Sequence, residues 1–177
     1  MRALKANEVE VRVGTVGAKG VTLLLYKNAR VDSKILDEEY GAMNWQCDFK
    51  EIKGNLFCGV GVWDDKKKQW VWKWDCGTES NTEKEKGEAS DAYKRASFKW
   101  QLGVELYNSP FIFLQVKTDK VGDNRYKLHN PRELYGLYVS GMTVEDIGGT
   151  KTITALDIAQ DDVIIWSTDR RKVGTRI

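Results

Sequence analysis

The clearest pattern along the chain is a set of three segments in which bulky and polar residues alternate. Residues 45–52, 56–64 and 69–76 each predict an antiparallel strand, because successive side chains of a strand point to opposite faces of a sheet. The polar stretches 53–55 and 64–68 are typical of turns. The three strands are therefore expected to form a meander, with a tryptophan at every second position of the third.

The longest helical pattern follows directly, over residues 82–103. Thr82 and Glu85 have the spacing of a capping box, which predicts the start of this helix. At about 100° per residue, small residues share one stripe of the helix, and such a stripe lets a sheet approach closely. The members of this stripe are Ala89, Ala92, Ala96 and Gly103. Phe98 and Leu102 form a second apolar strip, which we interpret as a candidate contact surface between subunits.

The remaining segments predict smaller elements. Alternation predicts strands at 8–13 and 21–26, which are expected to form a hairpin, and the spacing of 28–40 predicts a short helix ended by Gly41. The polar segment 117–132 is expected to be a loop. The apolar segment 110–114 fits either a strand or a contact between subunits. Alternation predicts three further strands, at 134–144, 151–159 and 163–166.

Together these elements predict an α+β fold. Its centre is an antiparallel β-β-β-α core, in which the three-stranded meander packs on the one long helix. An N-terminal hairpin, a short helix and a small C-terminal sheet are expected to complete a single domain over residues 1–166, with the core at 26–107. Residues 167–177 are basic and are expected to be a flexible tail.

Composition adds exclusions to this picture. The chain has 177 residues, of which 41% are hydrophobic and 31% are charged, and this is not typical of disorder. The net charge is only +2, so a nucleic-acid site must be a local cluster of cations. No apolar run approaches the roughly 18 residues of a membrane span. An odd number of cysteines without a signal peptide favours the cytoplasm.

The stretch Ser90-Asp91-Ala92-Tyr93-Lys94-Arg95-Ala96, followed by Trp100 and Gly103, resembles the signature helix of one family of DNA-annealing proteins. This is the Rad-fifty-two family of single-strand annealing proteins, which includes phage members of the Sak type. The likeness extends back to Ala29-Arg30 and to residues 36–41 ahead of Asn44-Trp45, so that it covers roughly residues 26–107.

The resemblance implies a set of nucleic-acid-binding residues. In the family, the Lys-Arg pair of this helix lines a groove that holds DNA by its phosphates, and the matching residues are Lys94 and Arg95. An arginine on the facing wall matches Arg30, and Lys34 lies one turn later. The chain departs from the family at Phe98, where a cation is expected, and Lys99 beside it is the candidate substitute.

The function implied by the resemblance is ATP-independent binding and annealing of single-stranded DNA in homologous recombination and DNA repair. The active form would be a homo-oligomeric ring or filament, and the origin a bacteriophage or prophage, so that the cytoplasm is that of the bacterial host. The expected partners are single-stranded DNA, further copies of the chain and a host or phage recombination protein. No membrane partner is expected.

Other classes of function remain open. A protein-interaction module on the same fold, such as a phage-encoded inhibitor or adaptor, fits the near-neutral charge. The chain is not expected to be an enzyme, to have catalytic residues or to need a cofactor, because it lacks a nucleophile elbow and a phosphate-cradling glycine loop. A metal-dependent nuclease is the least favoured reading, because the acidic residues lack a catalytic spacing.

Several aromatic, basic and sulfur-containing residues have two readings. Trp70, Trp72 and Trp74 are expected to fill the core against the small face of the helix, with a base-stacking platform as the alternative. Trp63 is a freer candidate for stacking. The lysines at 66–68 fit a soluble hairpin tip or an outer DNA path. Without CxxC spacing a zinc site is disfavoured, so Cys47, Cys58 and Cys76 are expected to be small core residues.

Overall fold

The computed structural model describes residues 1–78 and 84–177. These residues form two compact units, whereas the sequence predicts one domain over 1–166. Unit 1 consists of Met1–Arg2 with Asn28–Val104, and unit 2 consists of Ala3–Lys27 with Glu105–Ile177. All five residues predicted to bind nucleic acid belong to unit 1.

The sheet of unit 1 is the predicted antiparallel meander. Its strands are β3 (Trp45–Ile52), β4 (Asn55–Asp64) and β5 (Gln69–Cys76), paired in the order β3-β4-β5. The register aligns Trp63 with Trp70 across the second hairpin, and it continues without a bulge along β4 and β5. The strand bounds agree with the sequence prediction to within one residue.

Two helices of unit 1 pack on the same side of this sheet. The helix α1 (Ala29–Tyr40) begins after Asn28, whose side chain accepts a hydrogen bond from the Arg30 N–H, and it ends at Gly41 with φ 81°. The helix α2 (Lys84–Phe98) lies against β4 and β5. Ala92 and Ala96 are fully buried, which confirms the small face predicted for α2. Thr82, the predicted N-cap residue, lies outside the described residues.

The helix α2 ends five residues before Gly103, the predicted last residue of the helix. Gln101 has a φ of +64°, in the left-handed region, and its N–H donates to the Phe98 carbonyl at 2.9 Å. The Leu102 N–H reaches back to the Ser97 carbonyl at 3.3 Å. These two bonds form a Schellman motif, in which Gln101 takes the position that glycine usually holds.

Unit 2 is built mainly from one antiparallel sheet with the strand order β11-β10-β9-β1-β2-β6. Its strands are β1 (Glu10–Gly17), β2 (Gly20–Tyr26), β6 (Ile112–Leu114), β9 (Tyr138–Ile147), β10 (Thr150–Gln160) and β11 (Val163–Ser167). The predicted N-terminal hairpin is confirmed, since β1 pairs with β2. The C-terminal strands do not form a small sheet of their own, because β9 also pairs with β1.

One further expectation for unit 2 is wrong. The segment predicted as a loop, 117–132, contains a hairpin of β7 (Thr118–Gly122) and β8 (Arg125–Leu128), since its alternating residues are too polar to stand out as strands. The predicted flexible tail is hydrogen-bonded to the sheet. The Gly174 N–H donates to Ile164 at 2.8 Å, and the Ile177 N–H donates to Asp162 at 3.0 Å.

The α+β class predicted from the sequence is confirmed, with antiparallel pairing between the strands of the described residues. Across residues 1–78 and 84–177, no helix combines the length and the apolar character needed to cross a bilayer.

Candidate nucleic-acid interface

The meander has two chemically different faces. Cys58, Val60 and Val62 of β4 are buried on the face that α2 covers. The register places Asp75 and Lys73 of β5 opposite Cys58 and Val60, and therefore on the same face. Two polar residues of β5 thus lie beside α2, at one edge of the sheet.

Arg95 of α2 and Lys99, which directly follows this helix, come together at one of these residues, Asp75. The Arg95 Nε lies 3.4 Å from one Asp75 carboxylate oxygen, and the Lys99 Nζ lies 3.5 Å from the other. Both cations remain nearly half exposed, at 45% and 48% of their side-chain surface. The Lys99 ammonium also donates to the Trp74 carbonyl. Two positive charges are therefore held at fixed positions by one carboxylate, with exposed surface left for an anion.

The acidity of Asp75 reflects opposing effects. Partial burial acts to raise the pKa of the carboxyl, but the Cys76 N–H and the two cations outweigh it and lower the pKa overall. Asp75 is thus ionised at neutral pH and neutralises only part of the positive charge of Arg95 and Lys99.

Lys73 extends this cationic group, although the sequence analysis did not single it out. Its Nζ donates to the Lys99 carbonyl at 2.7 Å and lies 4.3 Å from the centre of the Trp100 ring. The indole N–H of Trp100 in turn donates to the Val60 carbonyl at 2.9 Å, which fixes the ring. We call Lys73, Arg95 and Lys99 the β5–α2 cation cluster. The strict alternation of Lys73 with the tryptophans was the available signal, since it places Lys73 on the other face.

An open cleft of about 570 Å³ adjoins this cluster within unit 1. Its walls include Lys73, the aromatic residues Tyr40 and Trp100, and the tip of the β4–β5 hairpin. The lining residues are Tyr40, Val62, Trp63, Asp64, Asp65, Lys66, Lys67, Val71, Lys73 and Trp100, so that two carboxylates lie among the lysines of the tip. The rings of Tyr40 and Trp100 meet edge to face, with centroids 6.3 Å apart. Cations thus follow one another from α2 across Lys73 to the hairpin tip.

Lys94 lies on a different side of α2 from Arg95 and Lys99. It is two residues from both Ala92 and Ala96, which are buried against the sheet, and so it projects from the opposite side of the helix. Its side chain is half-buried. The adjacent residues Lys94 and Arg95, which the family resemblance pairs, therefore project from different sides of α2.

Arg30 and Lys34 lie toward the other edge of the sheet. The helix α1 contacts β3, where the Trp45 indole donates to Asp37 at 2.7 Å, and Arg30 lies two turns before Asp37 on the same stripe. Lys34 is 3.9 Å from Glu38 along this helix. The β5–α2 cation cluster lies at the opposite edge, beside β5. Within unit 1, Arg95 and Lys99 are thus brought together, whereas Arg30 and Lys34 lie toward the opposite edge of the sheet.

The tryptophans of β5 do not face α2, and the expectation that they fill the core against its alanines is wrong. Trp70, Trp72 and Trp74 alternate with Lys73 and Asp75 and so project from the outer face of the meander. The rings tile this face with centroid distances of 5.6 to 6.4 Å, and Trp63 joins them at Trp70. Each of these indoles is half-buried.

Glycines of the neighbouring strand explain how the indoles fit. Gly59 and Gly61 of β4 lie directly opposite Trp74 and Trp72. A Cβ on Gly59 would lie 2.5 to 2.6 Å from three atoms of the Trp74 ring, and a Cβ on Gly61 would lie 2.9 Å from three atoms of Trp72. Because each Cβ would be nearly equidistant from three ring atoms, both rings lie face down on the glycine backbone.

Two other expectations are corrected by burial. Leu102 is fully buried, so the Phe98 and Leu102 strip is not available as a subunit contact. Of the cysteines, Cys58 is a core residue as expected, and burial raises the pKa of its thiol to about 12. Cys47 is exposed and Cys76 is half-buried. Phe111, in the apolar segment 110–114, is 77% exposed.

Comparison of the chain with protein-family models, with curated proteins and with solved structures finds no match. The assignment of a function therefore rests on the residues and geometry described above.

Proposed function

We propose that this protein binds single-stranded DNA through its phosphates and anneals complementary strands without ATP. The observation that supports this most directly is the β5–α2 cation cluster. Arg95 and Lys99 are nearly half exposed and share one carboxylate, so they offer a phosphate more positive charge than Asp75 neutralises. Phosphate contacts of this kind hold a strand without reading its sequence.

The proposed DNA path runs from α2 along the edge of β5 to the cleft at the hairpin tip. Arg95, Lys99 and Lys73 would bind consecutive phosphates, and Lys66 with Lys67 would continue the path. Cations bound to the backbone leave the hydrogen-bonding edges of the bases free, which is what pairing with a second strand requires. Annealing then needs no chemical step by the protein.

We infer a second role for Arg30, Lys34 and Lys94, which lie away from this edge. In a homo-oligomeric ring or filament, cations of one protomer can extend the DNA path of its neighbour, so these residues remain candidate phosphate contacts. The fold supports such an assembly through exposed apolar side chains. Phe111 of unit 2 is the most exposed phenylalanine in the part of the chain described.

A titration of a fluorescently labelled thymidine oligonucleotide, followed by anisotropy at two salt concentrations, tests this proposal. We expect binding that weakens steeply with salt, because each phosphate contact releases counterions. Arg95→Ala with Lys99→Ala should reduce the slope of log K against log salt by about 1.4, from roughly 0.7 for each phosphate contact on a single strand.

The matched control is Lys19→Ala with Lys120→Ala, which removes the same charge from exposed positions of unit 2. This variant should bind as the wild type does. Absence of binding by the wild type at low salt would reject the proposal in favour of a protein-interaction module.

A further inference from the structure

The outer face of the meander is an aromatic surface that the phosphate path does not use. Trp72 and Trp74 lie with one ring face on the backbone of Gly61 and Gly59, so their opposite faces point away from the sheet. The two rings are inclined by only 26°, with centroids 5.6 Å apart. The two rings are in offset stacking contact and form a continuous aromatic surface along β5.

Charged side chains border this aromatic surface. The Lys50 Nζ lies 4.4 Å from the centre of the Trp74 ring, and because the glycine backbone covers the inner ring face, the ammonium lies over the outer one. Asp48 lies 3.6 Å from Lys50. At the other end, Trp63 and Trp70 adjoin the hairpin tip, where Lys67 lies 3.6 Å from Asp64 and Lys68 lies 2.7 Å from Asp65. The surface therefore combines aromatic faces with flanking cations.

This combination favours one kind of occupant. A nucleobase offers a flat π surface to each indole, and its phosphate offers an anion to Lys50 or to the hairpin lysines. A second copy of the chain would instead bring the same lysines and the same indoles against one another, with like charges close together.

We propose that the outer face of the meander is a base-stacking platform for unpaired nucleic acid, with Trp70, Trp72 and Trp74 as the stacking residues. The proposal rests on the proposed function, since it concerns the same ligand class. Strand β5 joins the two sites. Its Lys73 and Asp75 belong to the phosphate path on one face, whereas its tryptophans lie on the other, and Lys99 donates to the Trp74 carbonyl at the edge between them.

In this geometry a strand crosses the outer edge of β5. Its phosphates contact Arg95 and Lys99, and its bases turn onto the indoles. Stacking covers the faces of the bases and leaves their pairing edges open, so it holds the strand extended without opposing annealing.

Binding to two oligonucleotides of equal length distinguishes base stacking on the tryptophans from phosphate binding by the β5–α2 cation cluster. One is a thymidine oligonucleotide, and the other is an abasic chain with the same number of phosphates. The wild type should bind the thymidine chain about tenfold more tightly, because stacking contributes to each base that reaches an indole. Trp72→Leu with Trp74→Leu should remove most of this preference, with Trp70 retained, and leave binding of the abasic chain unchanged.

Arg95→Ala with Lys99→Ala gives the opposite pattern, with both oligonucleotides weakened and the preference for bases retained. Equal binding of the two chains by the wild type would overturn the platform while leaving phosphate binding intact. Failure of the wild type to bind either chain would reject the proposed function itself. A tryptophan variant that changes the mass by light scattering but keeps the base preference would show that this face joins subunits, and would overturn the platform.

A crosslinking measurement on the wild type does not depend on the folding of any variant. Photoactivation of an oligonucleotide containing 5-iododeoxyuridine joins the base to an aromatic ring stacked on it. The proposal predicts crosslinks in the tryptic peptide Gln69–Lys73, which contains Trp70 and Trp72. Crosslinks confined to peptides outside β5 would contradict it.

Discussion

Asp75 governs how strongly the β5–α2 cation cluster attracts an anion. It contacts both Arg95 and Lys99, and its exposed side-chain fraction is only 22%. Its pKa is lowered in the folded chain, so the ion pairs contribute to stability above the ordinary carboxyl pKa and are lost as the pH falls through the lowered one. A substitution at neutral pH therefore tests its role better than acidification.

Asp75→Asn should strengthen binding of single-stranded DNA severalfold, because it removes the carboxylate that competes with phosphate for both cations. The salt dependence should become steeper. Anisotropy titration measures both effects, and Glu145→Gln is the control, since it makes the same change of charge at an exposed position in β9. Unchanged or weaker binding by Asp75→Asn alone would show that Arg95 and Lys99 do not contact the phosphates.

The alternation of β5 predicted correctly that its tryptophans share one face of the sheet. The prediction that this face packs against α2 was wrong. Indoles are usually buried, and the small stripe of α2 suggested a place for them. The deciding residues are Gly59 and Gly61, which lie on β4 opposite Trp74 and Trp72. Had the register been counted from the second hairpin, this pairing would have been visible in the sequence.

At the scale of elements, the end of α2 is set by tertiary contacts that no local pattern records. The Trp100 indole is hydrogen-bonded to Val60, and Leu102 is buried. The chain therefore turns at Gln101, ahead of Gly103, where the sequence predicts the end. The positions of Arg95 in the last turn of α2 and of Lys99 directly after it depend on that ending.

Gln101→Gly should raise the free energy of unfolding by about 1 kcal/mol, because glycine adopts the left-handed conformation without a clash at Cβ. Chemical denaturation followed by far-UV circular dichroism measures the change. Gln101→Ala is the matched control, and it keeps the strain, so it should give no comparable gain. Equal stabilities of the glycine and alanine variants would contradict the assigned Schellman motif.

The packing of the Trp74 ring on Gly59 leads to a second prediction at the scale of elements. Gly59→Ala should lower the free energy of unfolding by about 1 to 3 kcal/mol and alter the tryptophan fluorescence, because the new methyl group displaces the Trp74 ring. Gly17→Ala is the control, since a Cβ added there would lie 3.8 Å from the Gly20 carbonyl oxygen, at an ordinary contact distance. If Gly59→Ala left both the stability and the spectrum unchanged, Trp74 would not lie on the glycine.

At the scale of the whole molecule, local patterns predicted the meander and both helices but not the division into two units. The strands of unit 2 come from both ends of the chain, and the pairing of Glu10 with Tyr138 joins positions far apart in sequence. Such pairing leaves no local signal, because each strand shows only its own alternation. The same reason explains why the residues 167–177 were expected to be mobile although they are bonded to β11.

The proposed annealing activity also requires that protomers assemble. Static light scattering of the wild type at micromolar concentration should give a mass several times the 20.2 kDa of one chain. Phe111→Ser should reduce this mass if the exposed apolar segment of unit 2 joins neighbouring subunits. A monomeric mass both with and without single-stranded DNA would contradict the ring or filament.

Annealing kinetics test the central claim most directly. Two complementary oligonucleotides that carry a donor and an acceptor fluorophore are mixed with the wild type, with Arg95→Ala and Lys99→Ala combined, or with the control Lys19→Ala and Lys120→Ala combined. We predict that the wild type and the control accelerate annealing without ATP. The variant that combines Arg95→Ala and Lys99→Ala, shown to be folded by circular dichroism, should lose most of this acceleration. Annealing by that variant at the wild-type rate would contradict the account.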